Sequence, residues 1–325
     1  VLHEIVHNNF IVNRLKERGV IFAETLAEVP EGAVLLFSAH GVSAAVEEEA
    51  RRRSLRTVDA TCPLVKSLQS AASKSFRPGE VLILIGHRGH PEVEGVLGRV
   101  PAGGTVHVIS GAAEVPGLPE LPAGTPVRAL SQTTLNLEAV DEVLAALRNR
   151  WPQLESGPGV CYATTNRQKA VRQLAARCRT ILIIGSPRSS NSNRLREIAE
   201  QAGARAFLID GPQELPPLDP SQDIGVSAGA SAPEELVEAT VERLRRLGYG
   251  ASEPVEAAVE TVEVSPSEPL FALAPLSAAA KRLAGHPRAY LVVCGLGDLG
   301  KKTKKRVAAH GEDVETIEGY ISRYG

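Results

Sequence analysis

The first chemistry this chain offers lies in its opening residues, VLHEIVHNNF, where His3, Glu4 and His7 spell H-E-x-x-H. On a helix, that spacing sets two imidazoles on one face with a carboxylate beside them, the ligand-and-base set of a zinc protease. The pattern fixes only three positions, and a third ligand would have to come from Glu24 or Glu28. Other histidines recur in a different setting: His40 in FSAHGVS, and His87 and His90 in LIGHRGHPEVEG, each just past an apolar run. One histidine in such a place is usually a packed or surface residue. Several in equivalent places make a set that can donate to phosphate oxygens and carry protons. Glu92, two residues beyond His90, adds a carboxyl suited to general acid work or simply to the first turn of a helix.

Hydroxyls and amides collect in the same setting. Ser189, Ser190, Asn191, Ser192 and Asn193 stand between an apolar run and a helical pattern. These are N-cap residue types, and a capped helix start after a strand is also an anion site. The same holds for Gln132, Thr133 and Thr134, and for Gly229, Ala230 and Ser231. With no G-x-x-x-x-G-K-[ST] run, a small diphosphate held by hydroxyls and imidazoles fits better than a nucleotide. Cys62 in DATCPLV and Cys161 in GVCYATTNRQ sit before helical patterns, where a thiol gains thiolate character and can bind soft metals. Cys178, at the end of AVRQLAARC, reads as packing.

All these clusters share one position: each closes a short β-branched run and opens a helix. GAVLLFSAHG (32–41) leads into SAAVEEEARRR, and EVLILIGHRGHPEVEG (80–95) carries its own helix start. TPVRALSQTTL (125–135) leads into NLEAVDEVLAALRNR, RTILIIGSPRSSNSNR (179–194) into LREIAEQAG, and DIGVSAGASAPEE (223–235) into LVEATVERLRRLG. Strands alternating with helices of roughly 10–15 residues predict an α/β fold of parallel sheets, with ligands beyond the carboxyl ends of the strands. Cuts near 62 and near 160, the latter in a linker-like WPQLESGPGV (151–160), divide the chain into three similar lobes. They span 1–61, 62–160 and 161–265, followed by an atypical extension, 266–325.

Bulk composition excludes several classes. Thirty-six basic against 38 acidic residues in 325 leave no basic footprint for nucleic acid. No apolar run approaches the ~20 residues that cross a bilayer. Four cysteines without a C-x-x-C pair are too sparse for a disulfide scaffold and suit a reducing cytoplasm. Aromatic content of 4% means cores of Leu, Val, Ile and Ala. No methionine occurs, and Val1 reads as a point where a longer chain was cut.

HEIVHN, FSAHGVS, DATCPLV, LIGHRGHPEVEG, SQTTL, CYATTNRQ, GSPRSSNSNR and SAGASAP follow one another across residues 3–233. In that order they resemble the 4-hydroxy-3-methylbut-2-enyl diphosphate reductase family. The resemblance implies three α/β lobes around a central 4Fe-4S cluster held by three cysteines, one per lobe, with one iron open to substrate. It assigns the diphosphate to His7, His40, Ser189, Ser190, Asn191 and Ser231, and places His90, Thr133 and Glu92 at the hydroxyl end, where Glu92 with Thr133 delivers a proton. Cys62 and Cys161 match two cluster ligands, and a ferredoxin or flavodoxin would supply electrons. In this family His7 matters and His3 does not, which removes the protease reading.

The family's first cysteine lies in a G-F-C-x-G-V motif upstream of HEIVHN, before this sequence starts. Two expectations follow: a complete reductase in the parent chain, or a cluster-less diphosphate-binding remnant without catalysis. In the extension, Gly295–Gly300 matches G-x-G-x-x-G but opens only one unit, too short for a dinucleotide domain. The strand-like run ending at Cys294 invites a circular permutation in which Cys294 supplies the missing thiolate.

Overall fold

The computed structural model describes residues 1–250 except Ser75, together with Ser252, Pro254 and Val255. Among these, nine strands form three separate sheets, each wholly parallel. The first sheet pairs β1 (Val34–Phe37) with β2 (Arg56–Asp59), and Leu2 bridges in parallel to Phe37 and Ala23. The second has the order β4 (Thr105–Ile109), β3 (Val81–Ile85), β5 (Val127–Ser131), β6 (Glu155–Ser156). The third has the order β8 (Arg205–Ile209), β7 (Thr180–Ile184), β9 (Ile224–Ala228).

The central strands read as continuous apolar runs because both of their faces are covered. VLILI of β3 is buried at every position, and TILII of β7 at all but its first. Burying each such Leu or Ile contributes about 1.5–3 kcal/mol. On one face of the second sheet, α5 (Leu137–Arg150) supplies Val140, Val143 and Leu147. On the other, α3 (Pro63–Ser73) and α4 (Pro91–Leu97) supply Leu68, Ala72, Val93 and Val96. The third sheet lies between α6 (Tyr162–Ala175) with α7 (Ser190–Gln201) on one face and α8 (Glu234–Arg246) on the other. The first sheet packs with α2 (Ala44–Arg52), whereas Phe10 of α1 (Asn9–Glu17) reaches the core of the third.

In the second and third sheets the first strand is central, and the chain crosses to one side and then the other. Such a reversal opens a crevice at the carboxyl ends of the strands. The segment 151–160, read as a linker, differs from expectation: β6 lies within it, paired with β5 through Arg128↔Glu155 and Ala129↔Ser156. Two exposed polar residues carry no hydrophobic pattern, so the pairing has no sequence signal.

Candidate active site

Among the described residues, those gathered into the candidate site stand at or beside the start of a helix. His7 precedes Asn8, the N-cap of α1, and His40 follows β1. Cys62 and Cys161 are the N-caps of α3 and α6, His90 that of α4, and Ser189 that of α7. Thr133 follows β5, and Ser231 follows β9.

The three histidines meet. His7 and His40 stack with ring centroids 4.3 Å apart, and His90 stands edge-on to both at 5.9 and 5.8 Å. Burial, reinforced by His7 and His90, lowers His40 from the ordinary histidine value to about 3. Burial, with His7 and His87, lowers His90 to about 4. Both rings are therefore neutral near pH 7, and an arriving anion would reverse the balance by favouring the imidazolium. Nδ1 of His40 is buried and without a partner, an unsatisfied group aimed at something the protein alone does not provide. His90 uses its Nδ1 as the helix cap, accepting from the Glu92 N–H at 3.2 Å.

Glu92 is buried to 1% exposure. Burial raises its carboxyl to about 7, against two hydrogen bonds that pull it down. Those bonds come from Thr133, whose N–H donates to Oε1 at 2.6 Å and whose hydroxyl donates to Oε2 at 3.0 Å. A carboxyl poised near neutrality and fixed at both oxygens suits proton delivery. Beneath it, Gln132 is fully buried and accepts from the His87 N–H at 3.1 Å.

At α7 the groups do not titrate. The Ser189 hydroxyl accepts from the Ser192 N–H at 3.2 Å, capping the helix. Asn191 is 3% exposed, and both atoms of its amide lack a partner. Ser192 fits beside it because residues 185 and 229 are glycines: a Cβ at either would lie 2.2 Å from the Ser192 hydroxyl oxygen. Ser190 shares a 3.2 Å hydrogen bond with Thr134, and the Ser231 hydroxyl donates to the His7 carbonyl at 3.3 Å.

Both thiols stand at helix N-caps. The thiolate character expected of Cys62 at its helix start is overturned: burial raises the thiol, against the Leu64 and Val65 N–H groups that pull it down, with Cys161 and Glu92 pushing it further up. Cys161 accepts from the Thr164 N–H at 3.3 Å. Cys178, half-buried beyond α6, has its thiol raised by burial and then by Asp223.

The LytB protein family model matches residues 1–245. This chain belongs to the LytB family. It is 46% identical to the 4-hydroxy-3-methylbut-2-enyl diphosphate reductase of Chromohalobacter salexigens over 82% of this chain and 85% of that one. It is 47% identical to the same-named protein of Saccharophagus degradans, over 83% and 88%. Among solved structures it is similar to the E-1-hydroxy-2-methyl-but-2-enyl-4-diphosphate reductase of Plasmodium falciparum, with a TM-score of 0.73, 29% identity, and 85% and 88% coverage.

The LytB frame clarifies the opening motif. Helix α1 starts at Asn9, so His3 and His7 do not share a helical face. His3, with φ at 56°, turns toward Glu24 at 3.4 Å, whereas His7 pairs with Glu4 at 3.1 Å. No trio of His, Cys, Asp or Glu among the described residues is arranged to hold a metal ion. Cys62 and Cys161 are of the ligand type that an iron–sulfur cubane takes at each protein-held iron, and each could hold one corner. Cys294, Gly295–Gly300 and the extension 266–325 lie outside the described residues. Spacing gave no sign of Arg188, which reaches Glu4 and Asn9 across the sequence.

Proposed function

We propose that this LytB-family chain reductively dehydroxylates 4-hydroxy-3-methylbut-2-enyl diphosphate to isopentenyl and dimethylallyl diphosphate, the last step of isoprenoid precursor synthesis. One observation carries the reading: three imidazoles in contact are joined, through the His90 cap on the Glu92 N–H, to a buried carboxyl fixed by Thr133. The names of relatives at 46% and 47% identity support it.

In this reading His7, His40, Ser189, Ser190, Asn191 and Ser231 hold the diphosphate. The unpartnered Nδ2 donor of the Asn191 amide and the N–H groups at the start of α7 are ready for it. His90, Thr133 and Glu92 face the hydroxyl end. The reaction exchanges a C–O bond for a C–H bond, consuming two electrons and two protons and releasing water. Glu92 gives the proton that leaves with the hydroxyl, and Thr133 keeps the carboxyl aligned. A 4Fe-4S cluster held in part by Cys62 and Cys161 supplies the two electrons when bound, drawn from a ferredoxin or flavodoxin. The chain works in the cytoplasm as three lobes, 1–61, 62–160 and 161–265, with 266–325 as an extension and no nucleic-acid or membrane partner. Among the described residues, no helix is long and apolar enough to cross a membrane.

A second reading rests on the anion-binding groups alone, the unpartnered His40 and Asn191 atoms, which need no cluster to meet a diphosphate. Such a chain would bind diphosphate without a cluster and without catalysis. Anaerobic reconstitution, with iron and acid-labile sulfide measured per chain and turnover assayed with a low-potential donor, separates the two. A cluster with turnover supports the reductase. Diphosphate binding without iron supports the remnant.

A further inference from the structure

Glu4, the middle residue of the rejected protease motif, is only 18% exposed and has two partners. One oxygen meets Nδ1 of His7 at 3.1 Å. The other is held by Arg188, whose guanidinium also donates to the Asn9 side-chain oxygen at 2.6 Å. The Asn9 amide in turn donates to Asp210 at the end of β8. Arg188 immediately precedes Ser189, so the chain His7–Glu4–Arg188 ties an imidazole of the first segment to the turn that opens α7.

We propose that Glu4 and Arg188 are positioning residues that act on the anion through His7. A carboxylate accepting from Nδ1–H fixes the ring with Nε2 facing the ligand, where an anion needs an N–H donor, and the carboxylate's charge supports a ring that carries both protons. Unbalanced, the same carboxylate would repel a diphosphate. Arg188 offsets its charge while anchoring it to the turn that opens α7. Arg188 therefore matters because Glu4 is there, not through a contact of its own.

This inference rests on the diphosphate role of His7, and the test separates the two. Affinity of the full chain for inorganic diphosphate is measured by calorimetry for His7→Asn, Glu4→Gln, Arg188→Ala and the double variant, with thermal melts as a folding control. The expected result is a loss of about tenfold in each single variant and about the same loss in the double variant. With diphosphate bound, the nitrogen-15 signals of the His7 ring should report protons on both nitrogens in the parent and a mixture in Glu4→Gln. Losses that multiply to about a hundredfold in the double variant overturn the inference, because Arg188 would then bind the anion itself. A loss in His7→Asn with none in Glu4→Gln overturns it while leaving the diphosphate reading intact. No loss in His7→Asn overturns both.

Discussion

The second and third sheets place the same strand order beneath the site, yet the turns that leave them do different chemistry. From β3 the chain enters α4 through His90 and Glu92, a neutral imidazole and a carboxyl raised to about 7. From β7 it enters α7 through Ser189, Ser190 and Asn191, none of which titrates. Under the proposed function, one crevice moves protons and the other holds charge still. The comparison teaches that the scaffold supplies position alone, and that the residue types at two helix starts decide which task each crevice takes.

The sharpest way to break this division is at Glu92. Glu92→Gln keeps the shape and the Thr133 contact but has no proton to give, so turnover should fall by about 10²–10⁴-fold. Affinity for inorganic diphosphate should stay within about twofold. Single-turnover kinetics and calorimetry on one preparation would check both, and a parallel loss of binding would erase the distinction.

On the other side, Asn191→Leu should separate binding from stability. The free protein should gain about 1–3 kcal/mol, because two buried unpaired atoms disappear, while diphosphate affinity falls at least about tenfold. Urea melts with and without diphosphate would report both.

Acid sharpens the contrast further. His40 and His90 bind protons more weakly folded than unfolded, so their contribution is intact above about 6.5 and is lost as pH falls toward about 4 and 3. Glu92 has the opposite sign: its contribution is intact below about 4.5 and is lost as pH rises through about 7. His40→Asn should flatten the acid limb of stability by at most about 1.4 kcal/mol per pH unit, and Asn191→Leu should leave its slope unchanged. The smallest effect belongs to the bond that joins the two crevices, between Thr134 and Ser190 at 3.2 Å. Thr134→Val should cost about 0.5–1.5 kcal/mol in the same melts, with turnover nearly unchanged.

Legibility in the sequence followed burial. VLILI and TILII declare themselves because strands covered on both faces must be apolar throughout. The short strands β2 and β6 did not, since their polar, exposed residues leave RTVD and ES looking like a turn. The site was readable where helix capping restricts residue type, as at Ser189 and Cys161. It was unreadable where a contact spans the fold, as at Glu4 with Arg188, because nothing local requires that pair.

The cap on α4 carries a last consequence. His90 holds the start of that helix by lending the Nδ1 lone pair to the Glu92 N–H. A proton placed on that nitrogen would take the lone pair away, and the first turn would begin to fray. Acid would thus reach the site as a mechanical failure, with the Glu92 backbone slipping from its register while its carboxyl still carried the proton to be delivered.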